Sequence, residues 1–138
     1  MLEVKIFTLY PDLFPGPLDI GIFKKAKENK IWRLKVINIR DYSRDNHGKV
    51  DDTPFGGGSG MLLRPDVLAS ALDENTKKGE KIIYLSPRGK KFDQNVARSL
   101  SKEKNLNLIC GHFEGVDQRL LETRNIEEYS LGDFVLSG

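Results

Sequence analysis

Cysteine is nearly absent: Cys110 stands alone among 138 residues. That excludes an intrachain disulfide and suits a reducing compartment. Cys110 closes the stretch from Leu106 and reads as a buried small hydrophobe. Histidine is also scarce. His47 and His112 lie far apart, and with one cysteine they offer no metal-ligand spacing, so no metal site is assigned to protein ligands. No apolar run approaches membrane-spanning length. Met1 to Leu9 alternates charged and apolar residues and is no signal peptide. A soluble cytoplasmic protein is the expectation. An excess of one charge is missing too: 22 basic against 20 acidic residues leave a net charge of +2. Composition alone therefore points to no polyanion binder and leaves the partner open. There is no internal repeat and no low-complexity tract. The length fits one domain, 1–138, with room for a core that needs no staples.

What is present alternates between strand and helix patterns. Leu2 to Leu9 alternates and stops at Pro11, which predicts a strand and then a turn. Pro11, Pro15, Gly16 and Pro17 break regular structure. Ile20, Phe23 and Ala26 form one apolar side of a short amphipathic helix. Trp32, Leu34 and Val36 predict a second strand. Asp41 to Gly60 is polar, glycine-rich and nearly free of aliphatic residues, a long loop. Pro65 opens a helix with Val67, Leu68, Ala71 and Leu72 on one side. Lys81–Leu85 predicts a strand, with Ser86–Gly89 as the loop after it. Asp93 caps a helix carrying Val96, Ala97 and Leu100. Asn107–Cys110 is a buried-type strand stopped by Gly111, and 117–123 predicts one or two helical turns. The alternation implies an α/β fold with a mainly parallel sheet and flanking helices.

Chemistry concentrates in three segments that follow strands or hold glycines: Tyr84 to Gly89, Gly111 to Gly115, and Ser130 to Gly138. Ligands of open α/β sheets bind outside the carboxyl ends of strands. Glycine there lets backbone groups approach a ligand closely. The pattern leaves two readings open, a shared ligand pocket or ordinary turn glycines. The run from Val50 to Met61, VDDTPFGGGSGM, is a fourth candidate. It lacks the Lys and Ser or Thr that a P-loop needs after its last glycine, and no G-x-G-x-x-G follows the first strand. Taken alone it reads as a surface loop. Asp51 and Asp52 read as solvated loop charges, and the lysines at 24, 25, 27, 77, 78, 90 and 91 as solvated face or turn charges.

Together these segments resemble the signatures of bacterial TrmD-type tRNA (guanine-N1)-methyltransferases. Asp51, Asp52, Pro54, Phe55, Gly56–Gly58, Gly60 and Met61 are similar to that family's V-D-D-x-P-[YF]-G-G-G-x-G-M. Tyr84–Pro87 resembles its second signature, Gly111–Arg119 its G-[RH]-[YF]-E-G-[IV]-D-[EQ]-R, and Ser130–Gly138 its S-[IL]-G-D-[YF]-V-L-[ST]-G. Thr8–Phe14 is similar to its opening motif. Order and spacing agree along the whole chain. Two positions depart: Thr53 stands where many relatives have Arg, and Ser59 where many have Pro. That leaves the loop's part in gripping RNA less defined. Arg88 and His112 vary in the family and are given no task.

The resemblance implies a SPOUT-type fold whose C-terminal part is tied into a trefoil knot, a rare exception to ordinary topology. It implies S-adenosyl-L-methionine as methyl donor, held by three loops. Carried over by motif, the cofactor-binding residues are Tyr84, Leu85, Ser86, Pro87, Gly111, Phe113, Glu114, Gly115, Ser130, Leu131, Gly132, Asp133, Phe134, Val135, Leu136 and Gly138. The reaction implied is methylation of guanosine N1 at position 37 of tRNA, next to the anticodon. The partner implied is a second copy, in a homodimer with its active sites at the subunit interface. The family's general base is an aspartate placed C-terminal to Gly138, at the start of a tRNA-binding helical domain that this chain is expected to lack. Glu114 is the polar candidate near the methyl group. Two other readings stand beside the enzyme: a truncated, non-catalytic adenosylmethionine-binding domain of the same family, and a phosphate- or RNA-binding module built on Gly56–Gly60.

Overall fold

The computed structural model describes residues 1–44, 51–52, 62–111 and 115–132, with backbone alone at Asp51, Asp52 and Leu62. The elements are β1 (Leu2–Thr8), α1 (Gly21–Glu28), β2 (Trp32–Asn38), β3 (Asp51–Asp52), β4 (Leu62–Leu63), α2 (Pro65–Asn75), β5 (Lys81–Lys91), α3 (Gln94–Ser101), β6 (Asn105–Ile109), α4 (Gln118–Thr123) and β7 (Glu127–Ser130). The expected prolines act as breakers: Pro11–Leu13 and Gly16–Asp19 are single 3-10 turns. A third such turn, Ile39–Tyr42, ends β2.

Five strands form one sheet in the order β2-β1-β6-β5-β7. Every pairing in it is parallel, as the strand–helix alternation implied. A parallel sheet must be covered on both faces. Strand alternation sends Phe7, Ile37, Ile82 and Ile109 to one face, where they meet Val67, Leu68, Ala71 and Leu72 of α2 and Leu120 and Leu121 of α4. Ile83 and Leu106 point the other way, into a smaller cluster with Leu100 of α3. Asn107 is the polar exception in the larger layer. It is fully buried, and its Nδ2 donates to the Lys81 carbonyl at 3.0 Å, tying β6 to β5.

Local chemistry sets several helix ends as the sequence suggested. Pro65 occupies the first turn of α2. Asp93 caps α3, its Oδ1 accepting from the Val96 N–H at 2.9 Å. Lys5 Nζ donates to the Asn75 carbonyl at the end of α2, where a cation also meets the negative end of the helix dipole.

Three expectations change. First, Ser86–Gly89 is not a loop following a finished strand: β5 runs on to Lys91. The ladder slips there, because Leu85 and Lys90 both align with Tyr129 of β7. Residues 86–89 are thus extended backbone outside the ladder, returning to the same partner. Second, Tyr129 and Ser130 belong to a strand, β7, that the local pattern did not reveal. Third, the apolar side of α1 is largely open among the described residues: Ile20 and Phe23 are 66% and 51% exposed, neighbouring Ile22 is 76% exposed, and only Ala26 is partly buried. α1 is held from its flanks instead, by an ion pair between Lys27 and Asp19 and by Trp32 Nε1 donating to the Phe23 carbonyl.

This distribution predicts a sharp contrast between two truncations. Leu68→Ala, in the layer under the sheet, should lower unfolding free energy by about 2–5 kcal/mol. Ile22→Ala on α1 should change it by no more than about 0.5 kcal/mol. Urea denaturation of both variants checks this, and an equal loss would mean that α1 is covered in solution.

Candidate functional site at the strand ends

The C-terminal ends of β5 and β6 are held together by one side chain. Tyr84 leaves β5 toward the larger core layer, half-buried, and its ring lies over Gly111, just past β6. A β-carbon at position 111 would stand 2.6 Å from ring carbon Cε1 and 3.1 Å from the hydroxyl oxygen. No real side chain fits there unless the ring moves. Gly115 approaches the same hydroxyl, with a β-carbon position 3.4 Å away, and its φ of +127° favours glycine independently. Burial pushes the Tyr84 phenol pKa up, Glu128 adds to the shift, and Arg88 opposes it.

Glu128 is the register partner of Tyr84 on β7. Among the described residues, its Oε2 is enclosed and has no hydrogen-bond donor, although Arg88 lies 3.6 Å away. Arg88 also donates to Gln118 Oε1 at 3.2 Å, linking β5 to α4. Ser86 is buried, and its Oγ accepts from the Arg88 N–H. Gly89 has its own constraint: a β-carbon would lie 2.5 Å from the backbone of Glu128 and Tyr129. The close approach of β5 to β7 therefore rests on a bare α-carbon.

The third segment is described as far as Gly132. Ser130 Oγ donates to the Gly132 carbonyl at 2.8 Å and accepts from its N–H at 3.3 Å, making a tight turn. The Phe92 N–H donates to the Ser130 carbonyl at 2.8 Å. Leu131 and Leu85 are exposed.

Below the site, Asp117 caps α4 by accepting from the Arg119 N–H at 2.8 Å. The Arg119 side chain beside it holds the Asp117 carboxyl below the usual range. The capping charge is therefore in place above the unfolded-state pKa and is lost as pH falls through the lowered one. Cys110 is half-buried, and burial raises its thiol pKa. That suits the small-hydrophobe reading rather than a nucleophile.

The structure brings Tyr84, Gly111 and Gly115 into contact and sets Ser86 and Ser130 on adjacent strands β5 and β7. Phe113, Glu114, Asp133, Phe134, Val135, Leu136 and Gly138 lie outside the described residues, as do His47, His112 and 53–61 of the glycine-rich loop. Sequence reasoning did not single out Glu128, Gln118 or Leu63. No local motif marks Glu128 or Leu63, and Gln118 lies within the Gly111–Arg119 motif without a role of its own; each matters through a partner at least 30 residues away. Among the described residues, no three His, Cys, Asp or Glu side chains converge as a metal site would require. A hollow of about 440 Å³, lined in part by Lys77, Gly79, Lys81 and Arg124, lies near the start of β5.

The sequence matches the family described as tRNA (Guanine-1)-methyltransferase TrmD over residues 2–138. The chain belongs to that family. Similar TrmD-family proteins are the tRNA (guanine-N(1)-)-methyltransferases of Pelagibacter ubique (strain HTCC1062), 67% identical over 138 residues, and of Alkaliphilus oremlandii (strain OhILAs), 47% identical over 143 residues. That of Wolbachia sp. subsp. Brugia malayi (strain TRS) is 47% identical over 140 residues. These alignments cover 100%, 98% and 100% of this chain but 60%, 57% and 60% of the relatives. The chain thus spans about 60% of the length of the curated relatives it matches. For a TrmD-family chain, the Tyr84–Gly111 contact gives the second and third motifs a shared physical reason.

That contact is testable by a double-mutant cycle. Gly111→Ala should destabilise the wild-type background, and much less so a Tyr84→Ala background, with a coupling energy of about 0.5–3 kcal/mol. Gly89→Ala should cost the same in both backgrounds, because its neighbours are backbone. Urea unfolding of the single and double variants reads both effects. Equal Gly111→Ala costs in the two backgrounds would show that the ring does not impose the glycine.

Proposed function

We propose that this chain is the S-adenosyl-L-methionine-binding part of a tRNA (guanine-N1)-methyltransferase, acting on guanosine at position 37, next to the anticodon. The observation that carries the cofactor reading is the packing of Tyr84 against Gly111 and Gly115 at the strand ends. Open α/β sheets bind ligands there. The groups at hand suit a nucleoside with hydroxyls and an amino-acid tail: backbone N–H and C=O groups at the glycines and the Ser86 and Ser130 hydroxyls.

In this reading Tyr84–Pro87, Gly111, Phe113–Gly115, Ser130–Leu136 and Gly138 line the cofactor site. Bound there, S-adenosylmethionine supplies an electrophilic methyl group whose transfer needs no metal. The protein has three tasks left. A base must take the proton from guanine N1. A cation or N–H donor must stabilise the charge that grows on O6. The site must also align N1 with the methyl group. We assign the base to an aspartate C-terminal to the matched segment in the relatives, and name Glu114 as the polar residue of this chain beside the methyl group. The same reading gives the domain a SPOUT trefoil knot and pairs it as a homodimer with active sites at the interface. The exposed Ile20, just before α1, and Ile22 and Phe23 within it support an apolar contact surface for a second copy. The relatives' names favour catalysis over cofactor binding alone.

Calorimetric titration with S-adenosylhomocysteine tests the cofactor reading. Saturable one-to-one binding is expected, weakened at least about tenfold, roughly 1.4 kcal/mol, by Gly111→Val or Gly132→Val. No binding by a chain that unfolds cooperatively would contradict it.

A further inference from the structure

β3 and β4 form a minimal antiparallel ribbon, with Asp51 opposite Leu63 and Asp52 opposite Leu62. Leu63 has a second partner. It makes a parallel bridge with Val116, and its N–H donates to the Gly115 carbonyl at 3.2 Å. Its side chain is only 1% exposed and packs in the core layer that also holds Val116 and α2. One residue therefore joins the base of the glycine-rich segment to the end of the Gly111–Gly115 motif.

Gly115 needs such a partner. Its φ of +127° lies outside the range that strands or helices use. The Leu63 N–H takes up its carbonyl. A β-carbon at Gly115 would stand 3.4 Å from the Tyr84 hydroxyl. Two residues later Asp117 caps α4, whose Leu120 and Leu121 are buried. The peptide after Gly115 is thus held between Leu63 and α4, and the glycine itself between Leu63 and Tyr84. Without the Leu63 bond, a residue with glycine's freedom sits at the edge of the proposed cofactor site with one restraint fewer.

We propose that Leu63 is a positioning residue for the cofactor site. Its backbone N–H sets the orientation of the Gly115 carbonyl, and through it the β3–β4 ribbon is coupled to cofactor affinity. The coupling is reciprocal: cofactor held at Gly115 strengthens the ribbon's attachment by the same factor as the ribbon strengthens cofactor binding. This inference rests on the cofactor reading above.

The test replaces the Leu62–Leu63 amide with an ester. That keeps the Leu63 side chain, removes the N–H that Gly115 uses and weakens the Leu62 carbonyl as an acceptor. Leu63→Ile serves as the control that keeps the N–H. S-adenosylhomocysteine affinity is measured by calorimetry well below the melting temperature, where a loss of global stability does not alter the dissociation constant. The ester should bind about three- to tenfold more weakly, the worth of one hydrogen bond, and Leu63→Ile should bind within about twofold of the parent. A parent that binds alongside an ester that binds equally well overturns the positioning role alone. A folded parent that does not bind overturns the cofactor reading and this inference with it.

Discussion

The contact between the Tyr84 ring and the bare α-carbon of Gly111 is the constraint around which the strand ends are arranged. A β-carbon at 111 would press to 2.6 Å from the ring, well inside van der Waals contact. With glycine there, the ring can lie across the end of β6 and reach Gly115. Two motifs 27 positions apart in the chain become one surface in this way, floored by an aromatic ring and edged by backbone. Glycine serves here as an absence of side chain, which differs from its use at Gly115, where the positive φ matters as well.

Other features make sense around that contact. Asn107 and the parallel ladder fix β6 against β5, so the ring meets Gly111 at a set height. Gly89 lets β5 press onto β7, which places Glu128 opposite Tyr84. Burial keeps the Tyr84 phenol protonated past its ordinary range, with Glu128 adding to the shift and Arg88 opposing it. Leu63 brings the base of the glycine-rich segment to Gly115. Among the described residues, one of the two buried polar atoms without a partner, Glu128 Oε2, lies at this end of the sheet. Buried polar groups are costly when unmatched, and ligand sites are where folds tolerate them.

Much of the layout could be read from sequence because its causes are local. Alternation gave β1 and β2, the Pro65 start gave α2, the Asp93 cap gave α3, and an apolar run gave β6. β7 and the extension of β5 escaped, because Tyr129 is paired with two residues of β5, Leu85 and Lys90, some 40 positions earlier. β3 and β4 escaped because two-residue strands carry no period. The pattern of α1 correctly marked an amphipathic helix, but amphipathicity says which side is apolar and not what lies against it. In the site, the motif glycines were visible as glycines, whereas the reason for Gly111 needed the position of Tyr84. Glu128 sits two residues before a recognisable motif and draws its interest only from its register with β5.

The most direct test of the account is to map where a cofactor analogue touches the chain. With ¹⁵N-labelled protein titrated with S-adenosylhomocysteine, the amides of Tyr84–Leu85, Gly111, Gly115 and Ser130–Gly132 should shift together along one saturation curve. Shifts confined to Lys77–Lys81 and Arg124, beside the hollow at the opposite end of β5, would contradict a cofactor site at the carboxyl ends of the strands.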